Sequence, residues 1–436
     1  MEQYTSDFDV CSAILNEELV CALGCTEPIA LAYAAALARA ALGEAPQSLE
    51  VACSGNVIKN VKSVTVPNSG GMRGIEAAVA LGWTAGDETK NLEVLEGAGD
   101  AERAAAQALI DSGIFSVTLA EGVPNLFVEV VAHGDAHSSL VRIEDRHTHV
   151  TRLERDGQPL AVGGVSTDGV LEENLLRDDM RSRLSLELIW EFAHKAELNQ
   201  FADAIEQQLE LNGAIAQEGL GGTWGAHIGK TLLDTRPDDV SCRARAMAAA
   251  GSDARMSGCS MPVVICCGSG NQGITSSLPV REYAHDLGSS REELLRAVAL
   301  SDLTSVHVKR FIGELSAFCG AVSAAAGAAG AICMLKGGSF EQYQAAVVNT
   351  LANVGGIVCD GAKPSCAAKI ASAVDAGILG CDMALANADF LPGEGLVAES
   401  AERTIRSMGY VGRVGMHPTD VEILNIMIGK TDPENS

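Results

Sequence analysis

Residues 355–369, GGIVCDGAKPSCAAK, set Cys359 and Cys366 on either side of a tight turn containing Asp360, Gly361 and Pro364. Two thiols so close together could be core filler, a redox pair or metal ligands. Pro364 suits the first turn of a helix reading SCAAKIASAVDAG, which puts Cys366 near that helix's N-terminus. A helix N-terminus favours the thiolate, the form that binds iron or zinc. Cys319 stands at the end of a helical run just before a glycine, forty residues upstream, and is a third candidate. Spacing alone does not decide for a metal. The pair matches no zinc pattern, and the chain has neither CxxC nor a four-cysteine ferredoxin run.

Other stretches could also carry chemistry. Cys25, in LGCTEPIA, sits at a corner before a proline-started helix with Glu27 nearby, so a thiolate there could act as nucleophile or base. A structural thiol explains that position equally well. Two SGN loops, ACSGNVIKN (52–60) and CCGSGNQGI (266–274), follow strand-like runs. Their small residues let backbone N–H groups approach a ligand, and Ser54, Asn56, Asn271 and Gln272 add fixed donors and acceptors. Lys59 could meet a carboxylate, so an amino acid suits the pair of loops, although either loop alone reads as a turn. PNSGGMRG (67–74) lacks both the P-loop lysine and GxGxxG. His227 and His307 read as structural, and His147-x-His149 reads as a solvated strand edge.

The elements that must position these residues fall into three stretches. Residues 1–46 carry two helical patterns, the second, IALAYAAALARAAL, ending at Gly43. Residues 47–168 alternate, with SLEVACSG, SVTVPNSG, FSVTLAEG, LFVEVVAHG and SLVRIEDRHTHVTRLERDG as strands and two helical runs between them. Residues 169–436 are almost wholly helical, after a turn-rich stretch GGVSTDGVL (163–171) that reads as a linker. The fold class expected is therefore α+β: a mostly helical catalytic domain, a smaller α+β sheet domain, and N-terminal helices packing on the helical one.

Composition narrows the function. Of 436 residues 47% are hydrophobic and 20% charged, which specifies a folded chain. With 57 acidic and 31 basic residues the formal charge is −26, which repels nucleic acid and anionic membranes. MEQYTSDFDV has no basic segment followed by an apolar run, so no signal peptide is expected. The longest apolar stretch, 320–338, is mostly Ala and Gly and reads as a buried helix. A cytoplasmic protein is expected, and its 13 cysteines must then be free thiols, ligands or catalytic groups.

Taken together, GCTEP, CSGNxxKN, PNSGGMRG, MPVV…GSGNQGI, Cys319 and CDGAKPSC resemble, in order and nearly end to end, the L-cysteine desulfidases, a group related to the iron–sulfur serine dehydratases. The resemblance implies a [4Fe–4S] cluster held by Cys319, Cys359 and Cys366, with one iron left open for substrate. It also implies a proton-transfer role for Cys25, and places Ser54, Asn56, Lys59, Asn271 and Gln272 around the bound amino acid. The implied reaction is α,β-elimination of L-cysteine to hydrogen sulfide, ammonia and pyruvate through 2-aminoacrylate. L-Serine dehydration on the same cluster is the alternative. A pyridoxal-phosphate lyase would need a Schiff-base lysine, and Lys59 lies in a loop without the usual neighbours. A cysteine-sensing or cluster-carrying protein is the non-enzymatic reading. A small-molecule substrate is the partner expected, with neither nucleic acid nor membrane; a homodimer is left open.

Overall fold

The computed structural model describes residues 6–162, 164–165 and 170–435. Most of the 163–171 linker, and with it the boundary at 168/169, lies outside the described residues.

Alternating burial along β2 (Ser48–Cys53), β4 (Phe127–His133) and β5 (Ser138–Glu144) turns one face of each strand inward. With β3 (Phe115–Leu119), β6 (Val150–Arg155) and β7 (Gln158–Pro159) they form a six-stranded sheet in the order β3-β2-β4-β5-β6-β7. Only β2 and β3 run parallel, in register Val51 to Val117; all other pairs are antiparallel. The buried face is covered by the Ala-rich helix Thr26–Leu42, which the left-handed Gly43 ends as the sequence predicts. A further pair, β1 (Cys21–Leu23) with β8 (Pro262–Val264), ties the N-terminal segment to the helical half.

The remaining chain is helical. Gly320–Leu335, in which most residues are Ala or Gly, is buried around its circumference among Arg291–Ile312, Phe340–Val354, Cys366–Leu385 and Gly270–Leu287. Small side chains let these helices lie close together. The first helix, Asp7–Glu18, packs on Leu186–Lys195 and Arg291–Ile312. Thr26–Leu42 meets the helical half at its start, where Thr26 Oγ1 donates to the Gly268 carbonyl at 3.0 Å.

Three sequence expectations change. SVTVPNSG is not a strand: Thr65 makes one isolated bridge to Arg73, and the segment folds as a loop over the helical half. The long run from Arg291 breaks after Ile312, because Gly313 turns out at φ 99°. That break makes Cys319 the first residue before a new helix rather than the last of an old one. Lys59 lies on a short helix, Gly55–Val61, not in a loop. Among the described residues no helix is long and apolar enough to cross a membrane.

Candidate active site

Four helices aim their N-termini at one small cavity of about 110 Å³. Cys25 precedes Thr26–Leu42, Ser269 precedes Gly270–Leu287, Cys319 precedes Gly320–Leu335, and Cys366 opens Cys366–Leu385; all four line it. None of the four ends has a side-chain cap. A helix leaves its first N–H groups without internal partners, and together these ends carry the positive pole of the backbone dipole. Two glycines let the ends converge. A Cβ on Gly270 would stand 2.4 Å from Arg255 Nε, and one on Gly320 2.6 Å from the Gln272 amide carbon.

Arg255, near the end of the helix Val240–Met256, is 2% exposed, and its Nε and Nη2 have no hydrogen-bond partner. A buried guanidinium without an acceptor is costly, because burial removes water without replacing it. Its neighbours are unsatisfied too: Asn60 Oδ1, Asn271 Oδ1 and Gln272 Oε1 are buried without hydrogen-bond partners and belong to residues lining the cavity. Buried polar atoms are nearly always paired, so these open donors and acceptors around one cavity are available to a polar ligand.

Glu27 organises one wall. The Cys25 thiol donates to its Oε2 at 3.1 Å, Asn60 Nδ2 donates to Oε1 at 2.9 Å, and His147 Nε2 stands 3.9 Å from Oε1. Burial pushes the Glu27 carboxyl upward, but the His147 ring and the Cys25 thiol outweigh it and hold the pKa at about 2. Burial raises the Cys25 thiol well above its usual range; the Glu27 charge adds to this and Arg255 opposes it. At rest the pair is therefore a thiol donating to a carboxylate.

Cys319, Cys359 and Cys366 line the same cavity. Cys25 is engaged by Glu27, and Cys267, also on the wall, faces Cys266 across 3.7 Å. Burial, then the charge of Cys359, pushes the Cys319 thiol up to about 12; burial also raises Cys366, with Lys363 and Lys369 opposing. At these two sites burial overrides the lowering that a helix N-terminus alone would give. Among the described residues no three His, Cys, Asp or Glu side chains form a group that could hold a metal ion. The donor chemistry nevertheless fits an iron–sulfur cluster: three thiols on one cavity, acting on one another electrically, with two lysines to offset thiolate charge.

The predicted residues separate into two sets. Cys25, Asn271, Gln272, Cys319, Cys359 and Cys366 share the cavity. Ser54 and Asn56 do not: they line another cavity, of about 300 Å³, where Ser54 Oγ caps its own helix and donates to the Asn125 carbonyl at 2.7 Å. Lys59, 1% exposed, donates to the Cys359 carbonyl at 3.3 Å and pairs with Asp420. It braces the loop carrying Cys359 and does not face the cavity. His147 and His149, expected at a solvated edge, are both buried. Arg255, Asn60 and His147 were missed as site residues. The available signal was a lone arginine in the Ala-rich run AMAAAGSDARM, where a helix buried all round gives a cation no route to water.

The serine dehydratase alpha chain family profile matches residues 89–425. A UPF0597 protein of Finegoldia magna is 46% identical over 96% of this chain and 99% of its own length. One from Desulfitobacterium hafniense is 46% identical over 99% of both chains, and one from Lachnoclostridium phytofermentans is 46% identical over 95% of this chain and 98% of its own. The chain belongs to the serine dehydratase alpha chain family.

Proposed function

Starting from that membership, we propose that the protein is an L-cysteine desulfidase, eliminating hydrogen sulfide from L-cysteine to leave pyruvate and ammonia. The observation that carries an amino-acid substrate is the set of unpartnered polar atoms around one small cavity. Arg255 Nε and Nη2 offer a forked donor pair to a carboxylate, and the uncapped helix ends add to the same positive field. Asn60, Asn271 and Gln272 offer bare carbonyl oxygens, and Glu27 a carboxylate, to an ammonium group. One end of a zwitterion meets each set.

Cys319, Cys359 and Cys366 would hold a [4Fe–4S] cluster, which when bound supplies a Lewis acid beside the substrate. The chain's own residues orient the amino acid and manage its proton. The Cα proton passes to the Cys25–Glu27 pair, the Cα–H electron pair forms the Cα–Cβ double bond, and the Cβ–S pair leaves with sulfur. The 2-aminoacrylate formed tautomerises to an imine and takes up water, giving pyruvate and ammonia. Arg255 beside the thiol stabilises the developing negative charge.

The acid–base state of the wall favours cysteine over serine. At rest Glu27 is ionised and Cys25 is held above its usual range, so before the Cα proton is taken the wall holds no strong proton donor for a leaving group. Hydrosulfide leaves without one, whereas hydroxide needs protonation or stronger electrophilic help. L-Serine dehydration remains the second reading because the family bears that name. A pyridoxal-phosphate reading through Lys59 is disfavoured, since its ammonium is engaged away from the cavity by Asp420 and the Cys359 carbonyl. The test is kcat/KM for both amino acids on anaerobically purified protein, expected to be larger for L-cysteine. A larger value for L-serine reverses the assignment, and no elimination from either removes it.

A further inference from the structure

A second cavity, of about 350 Å³, lies against the first and shares Cys267, Lys309 and Glu314 with it. In a chain of formal charge −26 this cavity is unusually basic. Arg177 and Arg181 on its wall are consumed by ion pairs with Glu17, Glu18 and Glu314. The other three cations are not. Lys309 is only 6% exposed, and its ammonium has neither a hydrogen bond nor an ion pair among the described residues, although its charge acts on Cys267. Arg310 lies over the Phe311 ring at 4.5 Å with Nη1 buried and without an acceptor, and Arg413 at the exposed rim has no ion pair. Against these three stands one lining acid outside any ion pair, Asp178, which is exposed.

A lysine with so much of its stem buried, on the wall of a cavity and outside any ion pair, favours an anion there. The geometry points to a second carboxylate site, separate from the Arg255 site, that receives the 2-oxo acid product as it leaves the reaction cavity. Charge makes the selection. The amino-acid substrate is a zwitterion with no net charge, whereas the 2-oxo acid carries a full negative charge once its nitrogen is lost as ammonia. A surplus of free cations therefore holds product more strongly than substrate. Lys309, on the wall common to both cavities, is the group the product would meet first. The identity of the ligand rests on the elimination reading; the unpaired cations do not.

The test is equilibrium binding of pyruvate to the full chain purified anaerobically, by titration calorimetry and by dialysis with labelled pyruvate. Two pyruvates per chain are expected, of which excess L-alanine, an amino acid with no β leaving group, displaces one. Arg413→Gln and Arg310→Gln should each weaken the second site at least tenfold and leave kcat/KM within twofold; Arg413 is exposed, so its replacement does not threaten folding. One pyruvate per chain, displacement of both by the amino acid, or a second site indifferent to both substitutions overturns the proposal. So does inorganic phosphate occupying that site more than tenfold more tightly than pyruvate. Two bound pyruvates in a protein that eliminates from neither amino acid would uphold the carboxylate site and overturn its role in product release.

Discussion

Among the described residues two groups of helix starts can be set side by side, apart from those such as Ile75–Ala85 and Ala202–Gly221 that lack a side-chain cap away from the cavity. Seven helices, including Asp7–Glu18, Arg291–Ile312 and Phe340–Val354, begin on a serine or aspartate whose side chain accepts from the first turn. The four at the reaction cavity begin at Cys25, Ser269, Cys319 and Ser365–Cys366 with no such bond. The first group satisfies its own backbone and gains stability locally. The second leaves N–H groups, a guanidinium and several carbonyl oxygens open, and accepts lower stability so that a ligand can complete them. Sites that break local rules in this way are where function is expected.

The comparison can be broken most severely at the thiols. Cys319→Ala, Cys359→Ala or Cys366→Ala should each abolish cluster retention and lower kcat by a factor of about 10³ or more. Iron and sulfide content and visible absorption check this independently of turnover. Undiminished iron in all three variants would remove the ligand assignment.

Arg255→Met comes next and separates the two kinds of region cleanly. Losing a charged anchor costs about 2–5 kcal/mol of binding, so kcat/KM should fall by roughly 30-fold to 5,000-fold. The same change removes an unpartnered buried charge, so the melting temperature should rise by a few degrees. A fall in both would mean that Arg255 is structural. Cys25→Ala should lower kcat by about 10², the lower end for loss of a proton-transfer group, with iron content unchanged.

At the capped starts the pattern inverts. Ser339→Ala or Ser290→Ala should cost about 1 kcal/mol of stability, read by denaturant unfolding, and leave kcat/KM unchanged. A separate effect concerns the acid arm of stability. Glu27 has a folded pKa of about 2 against a usual 4.5, so its contribution is fully present above pH 4.5 and is lost as pH falls toward 2. Glu27→Gln should flatten that part of the stability–pH curve; an unchanged curve would show that His147 does not hold the carboxylate ionised.

Much of this was legible in the residues. The helix ending at Gly43, the alternating strands from β2 to β6, the helical second half and the placing of Cys366 at a helix start all follow from local pattern. SVTVPNSG misled because β-branched alternation records a preference for extended backbone, while pairing requires a neighbouring strand, and only Arg73 supplies a bridge. His147 and His149 misled because their charged neighbours suggested water on a segment that tertiary packing covers.

By itself, then, the sequence determined the elements, the α+β class and the candidate chemistry of the cysteines, because periodicity, caps and residue type are local properties. Tertiary structure alone decided which of them meet. It turned Ser54, Asn56 and Lys59 away from the cavity although their loop matches the Asn271–Gln272 loop in letters, and it brought in Arg255, Asn60 and His147 from three distant segments. Burial has no signature in residue spacing, and burial both leaves Arg255 without an acceptor and raises the Cys25 thiol.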